Sequence, residues 1–160
     1  MTRAICAASV ALLLAASARA QDTKPNFSGT WSIDLAKSDF GPAPPPESVV
    51  HVIEHKEPSV KDTATQKGSQ GEVTSDRTLT TDGKENTYKL KTMVGEQDVK
   101  ATSHWDGRKL ATVLKFEIQG APVNINEAWE LSADGKVLTI VREIKSPQGE
   151  FTQRALYNKQ

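Results

Sequence analysis

Residues 109–131 read KLATVLKFEIQGAPVNINEAWEL, and the alternation in this stretch decides the fold class. Leu110, Thr112, Leu114, Phe116 and Ile118 share one parity, with Lys109, Lys115 and Glu117 on the other. After Gly120-Ala121-Pro122 the pattern restarts, with Val123, Ile125, Glu127, Trp129 and Leu131 set against Asn124, Asn126 and Glu130. Successive side chains of a strand point to opposite faces of a sheet, so period two describes two strands, each with one buried face.

The same pattern extends in both directions. Tyr88, Leu90 and Thr92 oppose Lys89 and Lys91, and Val99, Ala101, Ser103 and Trp105 oppose Lys100 and His104. Strands are expected at 27–33, 49–55, 60–66, 73–80, 86–93, 99–105, 109–118, 123–131, 137–144 and 151–157. The run 137–144 is apolar on both parities and is expected to be covered on both faces. Asp82-Gly83, Asp106-Gly107 and Asp134-Gly135 supply the positive φ of tight hairpin turns. Looser turns are expected at 68–71, Gly95-Glu96, Gly120-Ala121-Pro122 and 147–149. Only 34–40 has a local helical pattern, about one turn long. Short links between neighbours favour consecutive antiparallel pairing. The expectation is an all-β protein, an antiparallel up-and-down meander of roughly eight to ten strands that closes or nearly closes into a barrel to remove its edges. Gly41-Pro42-Ala43-Pro44-Pro45-Pro46 interrupts the strands. It reads as a stiff extended connector that could fold across one barrel mouth.

Composition limits what such a barrel does. The chain has 160 residues, 20 basic and 20 acidic, so there is no basic excess to neutralise phosphates and no nucleic-acid partner is expected. At 37% hydrophobic content it is too apolar for disorder, and its length suits one domain. Arg3, the apolar run 4–16 and the small residues Ala18 and Ala20 have the form of a Sec signal peptide, residues 1–20, cleaved before Gln21. The run is shorter than the ~20 residues of a membrane-spanning helix. The sole cysteine, Cys6, leaves with the signal. The expected product is a periplasmic or secreted bacterial protein, a single β-barrel domain over 21–160, with no membrane span and no disulfide to support its core.

Gly29-Thr30-Trp31 resembles the Gly-x-Trp signature of lipocalins and their calycin relatives. The longer block 29–42, the block 131–139 and the ending Tyr157-Asn158-Lys159-Gln160 are similar to a group of small exported bacterial lipocalin-like proteins to which no single activity is assigned. The resemblance implies a calycin-like barrel in which Gly29 and Trp31 are structural. It also implies that an arginine from a late strand, Arg142 or Arg154, stacks on Trp31. The chain departs from true lipocalins in lacking a disulfide and a C-terminal helix.

Catalytic and metal motifs are sparse. His51 and His55 are four apart, about 13 Å along a strand, whereas zinc ligands lie about 2 Å from one ion. With His104 they read as solvated strand histidines, and no metal or cofactor is assigned. No nucleophile elbow or phosphate-binding glycine loop is present. Glu127 stands out because it shares an inward parity with Ile125 and Trp129, where an unpaired carboxylate is costly. It reads as a paired structural carboxylate, with Arg142 or Arg154 as partner, or as a polar anchor for a ligand, or as a general acid or base.

Three functions follow. The leading one is a non-catalytic barrel that binds a small, partly apolar molecule against Tyr88, Trp105, Phe116, Glu127 and Trp129. The second is a fully packed barrel serving as an envelope interaction protein, meeting its partner through an outer face or the 42–46 loop. The third is an enzyme using Glu127 with Arg142 or His104.

Overall fold

The computed structural model describes residues 24–92 and 95–160. The expected signal peptide, Cys6 and Met93, the last residue of one expected strand, lie outside the described residues. Among the described residues, ten strands form one antiparallel sheet. They are β1 Gly29–Ile33, β2 Ser48–Lys56, β3 Ser59–Gly68, β4 Gly71–Thr80, β5 Asp82–Thr92, β6 Gly95–Asp106, β7 Lys109–Ile118, β8 Ala121–Leu131, β9 Val137–Ser146 and β10 Gly149–Lys159. Their spatial order is β4-β3-β2-β1-β10-β9-β8-β7-β6-β5, so β10 returns to pair with β1 while β4 and β5 end as the two edges. The sheet is a meander curled into a nearly closed barrel, as the alternation predicts. One turn of 3-10 helix, Leu35–Lys37, sits where local helix is expected.

Two turns differ from expectation. Gln119 and Gly120 both have positive φ (54° and 79°), which makes the link between β7 and β8 a tight two-residue turn rather than a loose one. Asp82-Gly83 makes no laddered hairpin. The preceding Thr81 is pulled inward, its amide donating to the Pro58 carbonyl (2.8 Å) and its hydroxyl to Glu57. β5 then starts with a register shift between Asp82 and Glu85. Three side-chain bonds to backbone carbonyls span the resulting seam: Ser75 Oγ to Lys91 (3.0 Å), Asn86 Nδ2 to Thr78 (2.5 Å) and Thr80 Oγ1 to Lys84 (3.3 Å).

The barrel is filled at one end. Phe27 precedes β1 and acts as a plug, stacked on Trp105 at 5.8 Å and in a T-shaped contact with Trp129 at 5.5 Å. Its carbonyl accepts the Trp31 Nε1 hydrogen (2.9 Å). Leu79, Leu110, Leu138 and Val60 are fully buried around it. Each such aliphatic side chain contributes roughly 1.5–3 kcal/mol by leaving water. Gly29 has φ +143°, and a Cβ there would meet Lys159 Cε at 2.8 Å, so the glycine makes room for that side chain.

That contact bears on Trp31. The cation over its ring is Lys159, 5.2 Å from the centroid, and neither Arg142 nor Arg154. Lys159 is the register partner of Trp31 across β1 and β10. Arg142 is drawn into the bore by Glu127, and Arg154 lies on an exposed position that bridges the backbone of Asp39. The 137–144 strand also differs from expectation. Leu138 and Ile140 are buried, whereas Val137 and Val141 on the outer face are only half-buried.

Candidate functional site

The other end of the barrel is not filled. A cavity of about 370 Å³ lies between its mouth and the packed end. Its wall is apolar where the alternation points inward, with Val49, Val73, Leu90, Leu114, Phe116 and Ile125. The strap 40–46 covers the mouth and contributes Phe40, Ala43, Pro44 and Pro46 to the lining. The strap begins from a firm anchor. The Asp39 and Arg154 backbones exchange two 2.8 Å hydrogen bonds, the Leu156 amide donates to Ser38 Oγ (3.0 Å), and the Gly41 amide donates to Asp39 Oδ1 (2.9 Å). The proline run thus crosses the mouth as well as connecting the first two strands.

Beneath the cavity, one inward-facing position (two residues) further along most strands, lies a layer of polar side chains. Ser103, Thr112, Glu127 and Arg142 are successive register partners across β6, β7, β8 and β9. Asp62 and Arg77 face each other across β3 and β4. The two halves meet through the bore. Arg77 Nη1 donates to Glu127 Oε1 (2.9 Å) from the opposite side of the barrel, while Arg77 Nε donates to Asp62 Oδ2 (2.9 Å). Arg142 Nε donates to Glu127 Oε2 (2.6 Å), and Trp129 Nε1 donates to Glu127 Oε1 (2.7 Å). His51 Nδ1 lies 2.8 and 3.0 Å from the two Asp62 oxygens. The Arg77 guanidinium also sits over the Trp129 ring at 4.9 Å.

This geometry sets the charges. Burial alone would raise the carboxyl of Glu127, but Arg77 and Arg142 beside it, with the Arg142 and Trp129 hydrogen bonds, hold it down at about 2. Burial likewise opposes ionisation of Asp62, and Arg77 and His51 outweigh it, again to about 2. Burial pushes the Tyr88 and Tyr157 hydroxyls up, so both stay neutral. At the packed end, burial of Glu57 is outweighed by hydrogen bonds from Thr81, Trp105 and His55, leaving its carboxyl below the usual range.

The sequence-derived site residues separate into two groups. Tyr88, Phe116 and Glu127 line the cavity. Trp105 and Trp129 belong to the packed end, where Phe27 occupies the space between them. Glu127 is paired, with Arg142 as one partner and Arg77 as the other. His104 is exposed on the outer face, away from it. His51 and His55, expected in solvent, are buried at 3% and 8% exposure, because both share the inward parity of Val49 and Ile53. His55 Nδ1 accepts the Phe27 amide hydrogen (3.2 Å). Sequence reading missed Asp62 and Arg77. Each has the inward parity of its own strand, Asp62 with Val60 and Ala64, Arg77 with Val73 and Leu79, and that opposite-charged inward pair is the signal that could have found them.

No family model matches the chain, and no curated protein matches it. Solved structures do. Secretory abundant heat soluble protein 4 from Ramazzottius varieornatus superposes with a TM-score of 0.54 at 14% identity, over 84% of this chain and 94% of the other. Zebrafish ileal bile acid-binding protein complexed with cholic acid superposes with a TM-score of 0.54 at 18% identity, over 84% of this chain and 98% of the other. At these identities the likeness shows a shared barrel fold.

Proposed function

We propose that the chain is an exported barrel that holds a small, partly apolar molecule in the cavity between strap and polar layer, without transforming it. The observation carrying this reading is the cavity of about 370 Å³, apolar at its walls and polar at its base, in the size range of ligand pockets. A fully packed interaction barrel fits less well, because only one end is filled. The bile acid complex of a similar barrel supports the reading by analogy of fold. An acid–base role for Glu127 is disfavoured, because both oxygens are ion-paired and the carboxyl, near 2, has no proton to give at neutral pH. Export rests on the sequence of residues 1–20.

Native mass spectrometry of the protein purified from envelope and culture medium tests both parts. The expected spectrum shows a chain beginning at Gln21 that carries a small-molecule adduct lost on denaturation. Bare protein that also fails to take up added apolar probes would overturn the binding reading. An unprocessed N-terminus would overturn export.

A further inference from the structure

In the polar layer the carboxylate oxygens are all engaged, and one guanidinium nitrogen is left over as a donor. Glu127 Oε1 accepts from Arg77 and Trp129, and Oε2 from Arg142. Asp62 Oδ1 and Oδ2 both lie within reach of His51, and Oδ2 also accepts from Arg77. All four carboxylate oxygens are therefore engaged. On the donor side, a guanidinium carries five N–H groups. Arg77 uses Nε and Nη1, while its Nη2 is shielded from solvent and has no hydrogen-bond partner among the described residues. The Arg77 side chain is 9% exposed, forms part of the cavity lining and lies beside the Tyr88 hydroxyl. A buried donor left unmade costs about 1–3 kcal/mol.

The charge of the layer is as informative as its donors. Two carboxylates, Asp62 and Glu127, face two guanidiniums, Arg77 and Arg142, so the four paired charges sum to zero. A ligand carboxylate lowered onto Arg77 would add a third negative charge close to two others, with no unpaired cation to receive it, and a buried charge without a partner is strongly disfavoured. A carbonyl oxygen can accept from Nη2 without adding charge. The remaining cation of the lining, Lys91, is exposed.

We infer that the cavity selects uncharged amphiphiles, an apolar chain ending in a carbonyl-type acceptor (ketone, ester or amide), whose oxygen docks on Arg77 Nη2, in preference to carboxylates of the same size. This rests on the binding reading above and names its ligand class. The test compares 2-nonanone, octanoate and nonane at pH 8 by displacement of a fluorescent apolar probe from the processed protein. The ketone is expected to bind about tenfold or more tighter than either of the others. Octanoate binding as tightly as the ketone, or tighter, overturns the neutral-ligand inference and leaves cavity binding intact. Ketone and alkane binding alike removes the role of Nη2. If none displaces the probe, the binding reading falls with it. Two variants, checked for folding by circular dichroism, report on cause. R77K keeps the charge and loses Nη2, so the preference for ketone over alkane should vanish. E127Q leaves the layer with an excess positive charge, so octanoate should gain relative to ketone. If either variant fails to fold, the ranking on the unmodified protein still decides.

Discussion

Glu127 shows how a single residue reports on the architecture. Its inward parity announces a carboxylate that must find a cation, and Arg142 was legible as one candidate because the two strands are neighbours in a meander. Arg77 was not legible as a partner of Glu127, since it comes from 50 residues away across the bore and no periodicity encodes that distance. The buried pairs also predict an acid response. The carboxyls of Asp62 and Glu127 lie near 2 in the folded chain, against ordinary values of 3.8 and 4.5. A depressed folded value means that the unfolded chain binds protons first as pH falls. The stabilisation is therefore complete above about 4.5 and is lost between there and 2, roughly 2–3 kcal/mol for each group. The urea midpoint should stay level from pH 7 to about 5 and then drop. In E127Q the curve should start lower, by roughly 3–5 kcal/mol from the broken pair, and fall less steeply. A midpoint independent of pH down to 2, or the same acid slope in both proteins, would show that these pairs do not stabilise the fold.

Among the elements, the strap 40–46 does what its composition allows. Proline fixes φ and lacks an amide hydrogen, so a run of three cannot join a ladder and stays extended without one. That much was readable, and so was the option of crossing a mouth, whereas the anchor that holds it there was not, because it depends on the bridge between Asp39 and Arg154, residues that pair only once β10 has docked on β1. Replacing Pro44, Pro45 and Pro46 with glycine keeps the chain length and removes the stiffness. Release of a bound apolar probe should then quicken about tenfold, a change in residence time rather than in fold. The melting temperature should fall by several degrees, since each of the three prolines contributes about 0.4–1 kcal/mol by restricting the unfolded chain. Unchanged release in stopped-flow mixing would mean that the strap is a connector alone and that ligand passes elsewhere.

For the whole molecule, the order of strands was legible because short turns leave a meander few other routes, but the place where the barrel stays open was not. Asp82-Gly83 has the chemistry of a hairpin turn. It loses that outcome to Glu57 and Pro58, which capture Thr81 and leave β4 and β5 adjacent without a ladder. Side chains then carry the closure, with Ser75, Asn86 and Thr80 each reaching a carbonyl of the opposite strand, while the Arg77–Glu127 bridge ties the edge strand β4 to the far wall from inside. Three isolated bonds that each depend on one rotamer open more readily than a backbone ladder, in which neighbouring bonds form and break together. Hydrogen exchange should find this difference. Amides of β4 and β5 that face the seam should exchange about 100-fold faster than those between β7, β8 and β9, a gap within the range that local opening spans in folded domains. Substituting alanine for Ser75 and Asn86 should widen the gap further without altering exchange in β8, because the far wall keeps its own ladders. Equal protection on the two sides would mean that β4 and β5 are laddered in solution and the barrel is fully closed. Any ligand would then have to enter past the strap.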